Sequence, residues 1–510
     1  MSDWSAGYVT DIPYTYGVYR ELTPAVLSFA ALAAGVAAPD PNGTLTYCEL
    51  GCGQGYSSNV IAAVNPNVEV YANDFNPAHI SGARTLAAAA GTRNVHFYDS
   101  SFAEFAADET LPDFDIIALH GIYSWINADN RRHIVDFIRK RLKVGGLCYI
   151  SYNALPGYAA ALPLRRLLAD RAQTLHGSTV ARIEQAVAYG QQLADAKPIY
   201  FAVSGIPEHF QKIKDGGRDY VAHEYFNRDW TAFYHADVAA DLAEAKLNYV
   251  GPADLLSAVD AINLTAEQRT LLSAATTVTE RETLRDYVVN QMFRRDVFVK
   301  GALPLNPYEA RDRWLKTRFV LTTGRADVPM SVKGVLGEAS LQEDVYVPIL
   351  DGFAKNGART VAQLMDDPKI AALGWDRLQQ ALMILVGATQ LQPALDEAGD
   401  AGRLAGVKAF NRAVIEQASA SDLWRFLASP VFGGPVFLGR SSQLFLLARE
   451  EKVADPAVFV RDTLMAHGAS LTKEDGTVLN TPEENLAELR RLSELFDDKQ
   501  LPLLQSLGLA

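Results

Sequence analysis

The chain has 510 residues, 49% of them hydrophobic and 21% charged, with 60 acidic against 47 basic side chains and a net charge of −13. That length is too great for one core and points to about three domains at roughly 150 residues each, while the composition is that of an ordinary globular protein. The acidic balance excludes a broad nucleic-acid footprint, which needs clustered Lys and Arg, and suits a cationic partner.

The three cysteines, Cys48, Cys52 and Cys148, cannot all pair, and no Cys/His spacing suggests a zinc site, so no metal is expected. They fit a reducing, cytoplasmic setting. The opening residues MSDWSAGYVT have no basic segment followed by an apolar stretch, and no signal peptide is expected. The most apolar windows, 28–38 and 381–389, are too short to span a bilayer, so no membrane insertion is expected.

In chain order, strand-like runs fall at 45–50, 68–73, 95–98, 114–119 and 147–152, with helical stretches such as 57–64, 79–90 and 128–142 between them. This alternation predicts an α/β fold, a Rossmann-like parallel sheet with helices on both faces. Ligands of such sheets bind beyond the carboxyl ends of the strands. The loop after the first strand reads Glu49-Leu50-Gly51-Cys52-Gly53-Gln54-Gly55. Its alternate glycines let the backbone turn tightly and approach a ligand, and a helix N-terminus follows. Alone, this is also the signature of a plain strand-to-helix turn.

The second strand ends in Asn73-Asp74-Phe75, roughly 20 residues beyond the glycines, where a carboxylate accepts ribose hydroxyls. The third ends at Asp99-Ser100, where a short acidic side chain can accept from an adenine amino group. Either Asp alone reads as a turn residue or a helix cap. Together, in order, they indicate an adenosine cofactor. The loop lacks the third glycine of a pyrophosphate turn, and no Lys or Arg lies in 51–80. Glu49 would repel a pyrophosphate but help to order a loop around a cationic methionyl group. The choice falls on S-adenosylmethionine, with Glu49, Gly51, Cys52, Gly53, Gly55, Asp74, Phe75, Asp99 and Ser100 as candidate binding residues.

The segments ELGCGQG, YANDFNP and FYDSSF resemble successive motifs of class I methyltransferases. More specifically, His120-Gly121-Ile122-Tyr123-Ser124-Trp125, the run 149–158, and His223-Glu224-Tyr225-Phe226-Asn227 with Trp230 resemble methyltransferases of bacteria that carry a methyltransferase regulatory domain. Relatives of that kind include rickettsial lysine methyltransferases that modify an outer-membrane protein. The resemblance is dense over 8–300 and thin beyond. It implies a seven-stranded sheet with a reversed seventh strand. For this, 220–225 reads as a strand, 234–245 as a helix and 247–251 as the last strand, closing the domain near residue 255.

The expected organisation is therefore a methyltransferase domain at 1–255, with 160–218 a helical insertion and candidate lid. A helical regulatory region follows at 256–330. Its basic stretch 281–295 reads as a helix that packs its apolar side and solvates its arginines. A winged-helix-like unit spans 331–400 and a helical domain spans 401–510. The helix at 375–389 offers only Arg377 as a base, so a protein-contact or dimerisation role is expected there and DNA reading is not.

Methyl transfer needs a nucleophile with a lone pair, aligned with the leaving sulfur. Aromatic faces attract a sulfonium or an ammonium by about 0.5–2 kcal/mol each. Tyr14 and Tyr16 precede the sheet and are assigned to the cofactor, with His120 as a polar orienter. Tyr19 is read as packing. Tyr123, Trp125, Tyr152 and Asn153 lie at strand ends and are the candidate catalytic group. His223 and Glu224 read as a satisfied structural pair, with a catalytic base as the alternative. Two acceptor classes stay open, a lysine-bearing protein and a small molecule methylated on O or N.

Overall fold

The computed structural model describes residues 7–12, 14–469, 471, 478–479 and 481–510. The strands are β1 (Leu45–Leu50), β2 (Val68–Asp74), β3 (Val95–Asp99), β4 (Phe114–Leu119), β5 (Leu142–Asn153), β6 (Leu247–Pro252) and β7 (Phe293–Lys300). They form one sheet in the order β3-β2-β1-β4-β5-β7-β6. The first five pair in parallel, and β7 runs antiparallel to both β5 and β6. The order reverses between β1 and β4, which puts the binding crevice at their carboxyl ends.

Side chains alternate across the sheet, as the two-residue period of a strand requires. Tyr47, Ile116, Leu147 and Val297 pack on one side with α1 (Pro24–Ala33) and α2 (Tyr56–Val64). Cys48, Ile117, Cys148 and Phe298 pack on the other. That face is covered by α4 (Phe102–Ala107), α5 (Ala128–Arg141) and α10 (His235–Ala243). The helix α3 (Pro77–Ala90) begins where the Asn76 side chain accepts from Ala78 N–H with proline in the first turn. It ends at Gly91 in the left-handed conformation, a start and a stop both written in the sequence.

The insertion expected at 160–218 consists of α6 (Leu162–Gln173), α7 (Thr179–Asp195) and α8 (Ile206–Asp215), and a further helix, α9 (Arg218–Tyr225), follows it. The strand expected at 220–225 is thus a helix. Val221, Ala222 and Tyr225 share one face and are buried against Leu164, Ile183 and Phe210, and that packing overrides the β-preference of a Tyr-Val pair. The run at 247–252 is the sixth strand, not the reversed seventh. The reversed strand is β7, so the sheet closes at Lys300 and not near residue 255.

Three helices, α11 (Asp260–Asn263), α12 (Ala266–Ser273) and α13 (Val278–Val289), lead into β7. The basic stretch 281–295 is therefore not one solvated helix. Arg294, on the strand, is buried and binds Asp296 at 2.8 Å, Asp286 at 2.5 Å, Glu282 at 3.0 Å and the Tyr249 hydroxyl at 3.0 Å. Burial pushes Asp286 up to about 6. Burial also opposes ionisation of Asp296, but Arg294 and His235 outweigh it and hold that carboxyl at about 2.

Beyond β7 the chain adds a three-stranded antiparallel sheet, with Arg318–Leu321 between Arg359–Thr360 and Leu391–Ala394. The expected winged-helix helix, Trp375–Gly387, buries Leu378, Leu382 and Leu385 in the same core as α1 and β1. Farther on, Phe410, Val414 and Phe432 bury Tyr56, Val60 and Val64 of α2. The helix expected to serve protein contact or dimerisation thus buries its apolar face within the chain. No helix among the described residues is long and apolar enough to cross a membrane.

Replacing Arg294 by Met should leave three carboxylates in the interior without their common partner, at a cost of about 3–5 kcal/mol. Urea unfolding at neutral pH measures it.

Candidate active site

The loop after β1 turns through Gly51, Gly53 and Gly55, all at positive φ. All three are needed for more than the turn, and a Cβ at Gly51 would stand 2.4 Å from Ile122 Cδ1. A Cβ at Gly53 would crowd the Tyr14 ring at 3.2 Å, and one at Gly55 would stand 2.5 Å from the Ala83 Cβ. Asp74, at the end of β2, staples the loop. Its Oδ2 accepts from Gly53 N–H at 2.9 Å, and its Oδ1 accepts from Asn76 N–H at 2.9 Å and faces His79 Nδ1 at 3.2 Å.

Above the loop lies a cavity of about 130 Å³. Its walls include Gly51, Gly53, Asp74, Phe75, Ser100 and His120, with Tyr14 and Trp125 at the side toward the insertion. Asn73 and Ser100 also line it, and Asn73 Oδ1 and Ser100 Oγ are buried without a hydrogen-bond partner. Unpaired buried acceptors are costly, and a polar adenosine offers the donors they lack. Phe75, Phe102 and Ile122 supply apolar surface for its base. These residues fit S-adenosylmethionine. Burial lowers His120 to about 4, so its ring is neutral. It stacks on Tyr19 at 3.8 Å, and its Nδ1 lies 2.8 Å from the Tyr149 hydroxyl.

Several expected site residues stand elsewhere. Tyr16 packs on Trp424 at 4.6 Å. Asp99 is exposed and outside the cavity wall, whereas Ser100 is in it. Glu49 and Cys52 are buried beneath the loop. Glu49 accepts from Ser58 Oγ, and burial pushes it up to about 7. Gly55 starts α2 below the cavity. Tyr123 donates to Asp241 at 2.6 Å and Tyr152 to Asp296 at 2.7 Å. Both point into the α5 and α10 side of the sheet, away from the crevice, because strand-end position alone does not say which face a residue takes.

Trp125 and Asn153 are brought to a second place. Next to the cofactor cavity is a chamber of about 10 Å³, sharing the walls Tyr8, Tyr14, Gly121 and Trp125 and closed by Tyr220, His223 and Glu224 of α9. The motif His223-Glu224-Tyr225-Phe226-Asn227 builds it. His223 Nε2 meets Ile12 O at 3.0 Å, and Asn227 Oδ1 accepts from Val9 N–H at 3.0 Å. These contacts hold the amino-terminal segment, with Tyr8 and Tyr14, against α9. The indole N–H groups of Trp125 and Trp230 both donate to the Glu224 carbonyl, at 3.3 and 3.0 Å. Arg165 Nε donates to the Tyr225 carbonyl at 2.9 Å. Burial raises the Glu224 carboxyl to about 8, with the Asn153 side chain pulling the other way. Tyr8 and Tyr220 were missed in the sequence, where only the HEYFN motif signalled the chamber.

A family model described as a methyltransferase domain matches residues 41–200, and one described as a predicted methyltransferase regulatory domain matches 217–300. The uncharacterized protein sll1526 of Synechocystis is 44% identical over 508 residues, covering 99% of this chain and 100% of its own. The uncharacterized protein RP789 of Rickettsia prowazekii is 24% identical over 302 residues, 58% of this chain and 53% of its own. Among solved structures, PKMT2 from Rickettsia typhi in complex with AdoHcy matches with a TM-score of 0.70 at 17% identity, over 97% of this chain and 100% of its own.

Two outcomes follow from the geometry. Asp74→Ala removes the acceptor that staples the loop, and cofactor affinity measured by calorimetry should fall roughly ten- to a hundred-fold. The folded state also keeps a proton on Glu224 that the unfolded chain has released, between the ordinary value of 4.5 and about 8. Stability should therefore fall as pH rises through that window. Glu224→Gln should flatten this fall and gain on the parent most at pH 8, as read by urea unfolding at pH 5 and 8.

Proposed function

Because the chain belongs to the S-adenosylmethionine-dependent methyltransferases that carry a methyltransferase regulatory domain, we propose that its acceptor is the ε-amine of a lysine on a protein substrate. S-adenosylmethionine supplies a methyl group from its sulfonium to an attacking lone pair. In this reading Asp74 takes the ribose hydroxyls, Asn73 and Ser100 the base, and the Gly51–Gly53 turn with His120 the methionyl end.

The observation that carries the acceptor assignment is the small chamber beside the cofactor cavity. A space of about 10 Å³ is on the order of one water or one small head group. A nitrogen on a slender alkyl stem suits it, and a phenol ring does not. Its walls are tyrosine and tryptophan faces, which attract a cationic nitrogen. Its carboxyl, when ionised, attracts an ammonium and would repel a phenolate or a carboxylate nucleophile. Tyr220, in the wall, is 52% exposed, so one wall of the chamber is a residue that also faces the surface a large partner would meet. The full-length likeness in fold to PKMT2 agrees with this reading.

The test is incubation with methyl-labelled S-adenosylmethionine and a cell lysate, followed by mass spectrometry of the labelled species. Label should fall on lysine ε-nitrogens of proteins. Label confined to oxygen atoms or to small molecules would overturn the assignment.

A further inference from the structure

We propose that Glu224 is the proton acceptor for the incoming ammonium, so that the segment 217–300 forms the acceptor half of the active site. The inference rests on the lysine reading above. The geometry comes first. Glu224 is placed by its own backbone, whose carbonyl takes two indole N–H groups from different parts of the chain. Tyr8 and Tyr14 from the amino-terminal segment and Tyr220 from α9 share the chamber wall with it, and Tyr19, Tyr158 and Tyr225 lie near enough to feel its charge. Asn153, the last residue of β5, faces it with its side-chain amide. Trp125 and His223 complete the chamber.

The tyrosine hydroxyls of the chamber do not serve as acceptors. Burial holds the Tyr8 and Tyr14 hydroxyls above their ordinary range, so they stay protonated. His223 Nε2 donates to the Ile12 carbonyl, which fixes the ring in the chamber wall, and His120 Nδ1 meets the Tyr149 hydroxyl. Among the described residues of the chamber wall, Glu224 brings the carboxyl, a group that can carry one proton more or less. Removal from water disfavours an ammonium and a carboxylate alike, raising the carboxyl and lowering the amine until their proton affinities approach each other. The N–H bonding pair then stays on nitrogen as the lone pair that methyl transfer requires, and the proton moves to a Glu224 carboxyl oxygen. Once the methylated product leaves, Glu224 passes that proton to water. In sum, the substrate ammonium exchanges one proton for a methyl group, and one proton reaches solvent.

The experiment uses the full chain loaded with AdoHcy and n-butylammonium as the head of a lysine side chain. An ammonium binds the ionised carboxyl, so its apparent affinity for the parent protein should rise about tenfold per pH unit from pH 6 to about 8 and level off above. For Glu224→Gln it should be weak and flat with pH, while AdoHcy affinity, the check on folding, stays near the parent's. With a lysine peptide labelled by the parent, Glu224→Gln should lose about 10²- to 10⁴-fold in kcat. Its rate should keep climbing with pH as free amine forms in solution, and Glu224→Asp should recover part of the loss. A Glu224→Gln protein that keeps both the pH slope and the turnover would overturn the proton-acceptor role alone. A parent protein that shows no slope and methylates no lysine peptide would place the failure in the lysine reading.

Discussion

A carboxyl group withdrawn from water beside a cofactor cavity is the constraint around which the front of this molecule is arranged. Burying it is unfavourable for the folded chain wherever the carboxyl would otherwise be ionised. The surrounding contacts keep it in place nonetheless. Trp125 and Trp230 fix the Glu224 carbonyl, Arg165 fixes the next one, and Asn227 and His223 tie α9 to the amino-terminal segment. That many contacts devoted to one helix of eight residues is more than a lid needs if its task is only to cover a cavity.

The cofactor half and the acceptor half come from different parts of the sequence and meet at Trp125 and Asn153. The first half is a parallel sheet whose glycine loop is stapled by Asp74. The second half is α9 together with β7, the strand that inserts between β5 and β6. The Arg294 cluster on β7 reaches back through Asp296 to the hydroxyl of Tyr152, the residue before Asn153. The segment matched by the regulatory-domain model thus supplies part of the sheet as well as the chamber wall. The carboxyl-terminal third covers α1, α2 and one face of the sheet, and its role in the fold is that of core.

Much of the first half was legible because its signals are local. Strand runs, the glycine loop and Asp74 depend on residues within a few positions, and the first four strands fall within a residue of their expected places, while the fifth starts five residues earlier, at Leu142. The errors have long-range causes. Nothing local distinguishes 220–225 as a helix from a strand, since its burial against α6, α7 and α8 decides it. The reversed strand was hidden in a basic stretch, because the partners that neutralise Arg294 lie on α13 and on β7 itself. Tyr123 and Tyr152 stand at the expected strand ends but on the opposite side, where Asp241 and Asp296 hold their hydroxyls. Glu224 read as half of a structural pair. His223 does have that part, through the Ile12 carbonyl, while Glu224 adds a carboxyl to the chamber wall.

The most direct measurement is a crystal structure of the protein with AdoHcy and a lysine peptide that it methylates. The account predicts the lysine nitrogen in the chamber walled by Tyr8, Tyr14 and Trp125, at hydrogen-bond distance, about 3 Å, from the Glu224 carboxyl. A peptide whose lysine reaches the cofactor by another route, with Glu224 still covered by its tyrosines, would contradict it.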